Sequence, residues 1–156
     1  MMLVCITINV NASEKSVNDK LYRILEIVPD KSTKFDLENL LGRPTTYVET
    51  NITNQWSYST ANTSLTFVWN TANSKIQNYN YRYVNKDLQD WDSEKSGQFD
   101  VGNSTLKEMI RTLGQPNGLV VGAKTQSLRY EYKNCIVFLE FRNNILNRYS
   151  VEINKN

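Results

Sequence analysis

Apolar residues recur every second position along much of this chain. Trp56 and Tyr58, Leu65, Phe67 and Trp69, and Tyr79, Tyr81 and Tyr83 follow this period in the first half. Leu128 and Tyr130, Val137, Leu139 and Phe141, and Tyr149, Val151 and Ile153 follow it in the second. A period of two predicts strands with one apolar and one mostly polar face. Elsewhere the spacing is helical. Val17, Leu21, Ile24, Leu25 and Val28 predict an amphipathic helix ended by Pro29. Leu37, Leu40 and Leu41 mark a brief second helix, and Leu106, Met109, Ile110 and Leu113 a third.

The two brief helices are punctuated alike. "TKFDLENLLGRP" (Thr33–Pro44) and "TLKEMIRTLGQP" (Thr105–Pro116) each open on a Thr that can cap orphan N–H groups, with Asp36 or Glu108 placed to reach back. Each closes on Leu-Gly-x-Pro. Gly42 and Gly114 supply a positive-φ residue, and Pro44 and Pro116 prevent continuation. At an offset of 72, Ile27–Trp69 lies over Phe99–Phe141 without a gap and nine pairs are identical, among them Val48/Val120, Tyr58/Tyr130 and Asn62/Asn134. The two Asn fall between predicted strands, where Asn tolerates φ > 0. The expectation is an α+β protein of two tandem repeats, each with short helices packed on an antiparallel sheet of three to four strands. The units are residues 14–85 and 99–156, joined by a polar segment at 86–98. Neither has enough residues for a convincing core alone, so the two are expected to pack together.

Residues 1–12, "MMLVCITINVNA", carry an apolar run, no charge, and Val10 and Ala12 at the −3 and −1 positions of a signal-peptidase site. A truncated leader cleaved after Ala12 is favoured. The alternation of Val4, Ile6, Ile8 and Val10 also fits a strand, and Leu3-Val4-Cys5 a degraded lipoprotein box. The 156 residues are 40% hydrophobic and 22% charged, which is a globular composition. The net charge of +2 is too small to argue for nucleic acid or an anionic membrane. There is no histidine, which removes Ser-His and Cys-His nucleophile pairs and the commonest metal ligand. Cys5 and Cys135 form no metal or redox motif, and Cys135 shares the apolar face of Val137 and Leu139, which reads as a buried thiol.

"FDVGNSTLKEMIRTLGQP" (Phe99–Pro116) resembles the signature of the SmpA/OmlA-type envelope domain and of the tandem-repeat β-lactamase inhibitor protein (BLIP-like) group, with Phe99, Val101, Gly102, Leu113, Gly114 and Pro116 filling the pattern. Ser104 stands where Thr is usual, and in the first unit Asp30 replaces the Gly. The resemblance implies an α+β repeat, secretion or lipid anchoring, and a non-enzymatic role in binding proteins. BLIP-like inhibitors typically carry disulfides within their units, which this chain cannot form. The function expected is a secreted or envelope-attached, non-catalytic protein-binding module, of which an inhibitor-like protein is one form. The alternative is a structural envelope lipoprotein supporting a membrane-protein assembly.

The aromatic alternation is expected to face the helices, because its counterparts in the second unit are mostly aliphatic. The other face then carries the candidate partner-binding residues: in the second unit Phe138 and Ile136 among Arg129, Glu131 and Arg148, with Glu152 on the same face, and in the first unit Arg82. Apolar residues on a polar face mark either an interface anchor or the contact between the two units. The acidic run Asp87, Asp90, Asp92, Glu94 lacks the Gly of a calcium loop and reads as a solvated segment. Asn is common enough, at twenty residues, for chance to supply the sequons at Asn51, Asn62 and Asn103. No catalytic residue, cofactor, metal site, nucleic acid or small-molecule substrate is expected.

Overall fold

Among the described residues eight strands run in chain order through one antiparallel sheet, each paired with its sequence neighbours. They are β1 (Thr46–Glu49), β2 (Thr53–Ser59), β3 (Thr63–Asn70), β4 (Ile76–Tyr83), β5 (Gly118–Gly122), β6 (Thr125–Glu131), β7 (Cys135–Arg142) and β8 (Ile145–Ile153). Two helices of eight residues accompany them, α1 (Lys34–Leu41) and α2 (Leu106–Leu113), with a 3₁₀ helix at Ser93–Gln98. The structure is a computed structural model and describes residues 21–154. The leader, strand and lipoprotein-box readings of residues 1–12 lie outside the described residues, as does the start of the first amphipathic helix, of which residues 21–24 are helical.

One face of the sheet is the core. Phe67, Ile76, Leu119, Leu128, Val137, Leu139 and Leu146 are fully buried there, in one cluster with Leu21, Ile24 and Ile27 of the first segment and Leu37, Leu106, Met109 and Ile110 of the helices. The expected aromatic face is this one. Phe67, Trp69, Tyr79 and Tyr81 are buried, and Trp56, Tyr58 and Tyr83 pack against them half-buried. The Tyr79 hydroxyl donates to the Ile24 carbonyl at 3.2 Å, which fixes the first segment over β4. Cys135 is buried, and burial pushes its thiol up.

The helix stops are built as the punctuation requires. Glu108 accepts from the Thr105 N–H at 2.8 Å, and the Glu108 N–H donates back to Thr105 Oγ1 at 3.3 Å. Asp36 accepts from the Thr33 N–H at 2.7 Å. Gly42 and Gly114 have φ 75° and 82° with ψ −156° and −157°, an extended mirror conformation open essentially only to glycine. Tyr58 and Tyr130 then donate to the carbonyls of Gly42 and Gly114, at 2.9 and 3.1 Å.

The expected α+β class, two tandem units of helices on a small sheet, is overturned. The chain is mainly β, and its strands make one continuous sheet with few short helices. The reason is β5. Asn78–Arg82 of β4 pairs with Gly118–Gly122, so the first four strands end in no free edge at β4. An unpaired edge there would leave a row of backbone donors and acceptors open, and β5 closes it while burying Leu119 and Val121. In "GLVVG" the flanking glycines resemble turn punctuation and hide a strand. The polar segment at 86–98 is docked against the sheet. The Trp91 N–H donates to Asn134 Oδ1 at 2.9 Å, and the Trp91 ring lies 4.9 Å from that of Tyr132. Positive φ falls on Asn143 and Asn144, at the β7–β8 hairpin, and not on Asn62 or Asn134.

Candidate functional site

No described element covers the second face of the sheet, and the register fixes which residues meet on it. One row crosses all eight strands: Thr46, Ser57, Thr66, Asn80, Val120, Ser127, Glu140 and Arg148. Beside it runs Ser64, Arg82, Gly118, Arg129, Phe138 and Ser150. A third, short row holds Glu131, Ile136 and Glu152. All six candidate residues therefore lie on this face. Arg129, Glu131, Ile136, Phe138 and Arg148 come from adjacent strands, and Arg82 joins them across the β4–β5 seam.

The two halves of the face differ chemically. On β1–β3 it is mostly hydroxyl- and amide-bearing, with Val48 and Val68 on either side of Gln55. On β6–β8 it holds the charges and the larger apolar groups. Phe138 is half-buried, with the Arg129 guanidinium 5.9 Å from its ring centre. That arrangement is a cation–π contact, of about 0.5–1 kcal/mol at an accessible site. Arg129 also pairs with Glu131, two residues along its own strand. Arg148 grips Glu140 with two hydrogen bonds of 2.8 Å, from Nε and from an Nη. These bonds hold the Glu140 carboxyl below the usual carboxylate range and raise Arg148. Among the described residues Arg82 has no ion-pair partner.

Gly118 leaves a gap between Arg82 and Arg129. A Cβ there would stand 3.4 Å from that of Arg129, an ordinary van der Waals contact that would close the gap. The sequence reading missed Val120, which is 52% exposed near the centre of the face. The signal was its alternation with buried Leu119 and Val121, legible only once β5 is taken as a strand. The contact between the halves of the chain is a strand pairing along β4 and β5, and Phe138 on β7 is no part of it. Of its two expected roles, the inter-unit contact is thereby removed.

Little on the rest of the molecule is arranged for chemistry. A hollow of about 470 Å³ beside α1 is lined by Glu26, Lys31, Asp36 and Asn39, but Asp36 is already committed to the Thr33 cap. Burial pushes Tyr58, Tyr81 and Tyr132 up to about 12, further from neutrality. Among the described residues no group of three His, Cys, Asp or Glu could hold a metal ion.

This fold has a solved counterpart. It is a candidate β-lactamase inhibitor protein from Streptococcus mutans, with a TM-score of 0.57 over 88% of this chain and 97% of that one, at 12% identity. At that identity the likeness is one of fold. It supports the BLIP-like part of the expected resemblance, and the SmpA/OmlA-type part gains no support. A DUF4309 family protein (YjgB) from Bacillus subtilis aligns over 90% of this chain and 95% of that one, at 13% identity with a TM-score of 0.33, too loosely to carry an argument. No family model matches the chain, and no curated protein does.

Proposed function

We propose that the protein is a non-catalytic, inhibitor-like binding module working outside the cytoplasm, and that the β5–β8 part of its open sheet face docks a protein partner. The observation that carries this reading is Phe138: an aromatic ring on the face opposite the core, with Ile136 beside it and charged groups around both. An apolar anchor inside a charged and polar rim is the usual composition of a moderate protein interface. The fold shared with the Streptococcus mutans counterpart, a candidate β-lactamase inhibitor, supports the inhibitor-like part of the reading. The bidentate Arg148–Glu140 pair presents a rigid polar rim, and Arg82, which has no ion-pair partner among the described residues, supplies a cation for an acidic group on the partner.

Capture from native secreted and envelope fractions tests the reading, with folded Phe138→Ala protein as the matched control. A soluble enzyme retained by the parent, lost by the variant, and inhibited by the parent in a direct assay supports it. Equal capture by both proteins overturns the assignment of the face. A stable membrane complex in place of a soluble partner would mean a structural envelope component.

A further inference from the structure

The last strand of the sheet, β8, is a long edge whose apolar side chains are only partly covered, Tyr149 by the Phe99 ring at 4.9 Å. Tyr149, Val151 and Ile153 are 41, 38 and 78% exposed, although they point to the core side of the sheet. On β4, whose outer edge is covered by β5, the core-side residues Tyr79 and Tyr81 are 1 and 4% exposed. The backbone of β8 is as open as its side chains. The Asn154 N–H donates to the Asn134 carbonyl, on the β7 side. By the period of two, Glu152, Ser150 and Arg148 also point their backbone groups toward β7, and Tyr149, Val151 and Ile153 point theirs outward. Nearer the hairpin the outward groups are occupied: Leu146 exchanges two backbone bonds with Gly102 and Ser104. Among the described residues nothing pairs with the outward groups of 149, 151 and 153.

The sequence of this edge is complementary to itself. Reading outward from Ser150, the flanking residues are Tyr149 and Val151, then Arg148 and Glu152. We propose that β8 pairs with β8 of a second copy of this chain, antiparallel and centred on Ser150, joining two sheets into one. In that register Tyr149 stands opposite Val151 of the other copy, and both have outward backbone groups, so each such pair exchanges two hydrogen bonds. Arg148 stands opposite Glu152 of the other copy, twice by symmetry. Opposite charges directly across a strand pair stabilise it, and like charges oppose it. The contact is isologous and closes after two copies. The other edge of the sheet offers no equivalent, because β1 has only four residues.

The pairing has a consequence for the open face, which rests on the function proposed above. Phe138 is the cross-strand neighbour of Ser150. The two Phe138 rings of the pair would lie three strand spacings apart, about 14 Å, on one continuous surface.

Sedimentation of the full chain across concentrations up to about 1 mM, where even weak association registers, tests the proposal together with three variants. The parent is expected to shift from one-chain to two-chain mass. Arg148→Glu and Glu152→Arg, each alone, should lose the two-chain species, since each sets like charges opposite one another at both positions. An equimolar mixture of the two should regain it, because the unlike chains restore opposite charges at both positions. Val151→Pro should be monomeric with the parent's near-UV circular dichroism, because its N–H points outward and serves no bond within the chain. A parent that stays monomeric overturns the proposal. So does a dimer indifferent to Val151→Pro, or charge variants that fail to complement while folded.

Discussion

At the scale of single residues, two glycines and two tyrosines close the helices. The mirror-extended conformation of Gly42 and Gly114 costs any L-residue about 1–3 kcal/mol, and a Cβ at either would meet nothing within 4 Å. Gly42→Ala and Gly114→Ala should therefore each destabilise by about that amount through backbone strain alone, read as a fall in the urea midpoint at unchanged slope. The carbonyl of each glycine is held by a tyrosine hydroxyl, but in different surroundings. Tyr130 is 3% exposed, while Tyr58 is half-buried. Removing a buried hydroxyl leaves the Gly114 carbonyl without its partner, a loss of about 1–3 kcal/mol, whereas solvent more readily replaces the bond to Gly42. Tyr130→Phe should cost more stability than Tyr58→Phe in parallel denaturation. Asp30 shows how residue identity misleads. It replaces the glycine found at 102, yet it takes φ 63° where Gly102 takes 94°. Its N–H donates to the Ile76 carbonyl as that of Gly102 does to Leu146. Asp tolerates this region better than most residues, so an apparent departure from the pattern preserves its geometry.

At the scale of elements, the helices were the most legible part of the chain. Thr105 with Glu108, and Gly114 with Pro116, are local signals that act within one turn, and tertiary context has little room to override them. The cap also predicts a pH response. The Thr105 backbone N–H, then its hydroxyl, hold the Glu108 carboxyl below the usual range, so the folded state favours its ionised form. The stabilisation is present above the carboxylate range and is lost as pH falls through the lowered folded value. Glu108→Gln should be less stable than the parent at neutral pH, and the difference should shrink on acidification, measured as the melting midpoint against pH. Strand β5 was illegible for the opposite reason. Its signals, Leu119 and Val121 between two glycines, are too short to mark a strand by themselves, and only pairing with β4 on one side and β6 on the other makes them one. The Asn143-Asn144 turn is a local signal: two consecutive positive-φ residues, at 50° and 69°, close β7 on β8. Positive φ at both central residues is what a two-residue hairpin requires.

At the scale of the whole molecule, that unread strand decides both architecture and site. With β5 in place the sheet is continuous, one face is core across its central strands, and the other carries rows that no single half of the chain contains. Five of the six candidate residues could be grouped from the alternation of β6–β8 alone. Arg82 could be placed among them, and Val120 recognised, only through the seam. The face separates cleanly from the core at one pair of adjacent residues. Leu139 is fully buried, and Phe138, on the opposite side of the same strand, is half-buried. Leu139→Ala leaves a cavity and should cost about 2–5 kcal/mol of stability. Phe138→Ala gives up the Arg129 contact and part of a half-buried ring, and should lower the melting midpoint far less. Their order should reverse in binding. If the face is the working surface, Phe138→Ala should weaken the partner by tenfold or more, the effect of about 1.4 kcal/mol at an interface anchor. Leu139→Ala, assayed well below its melting point, should bind like the parent. Titration calorimetry on both variants separates a surface that binds from a fold that merely survives, and a partner indifferent to Phe138→Ala would move the binding site off this face.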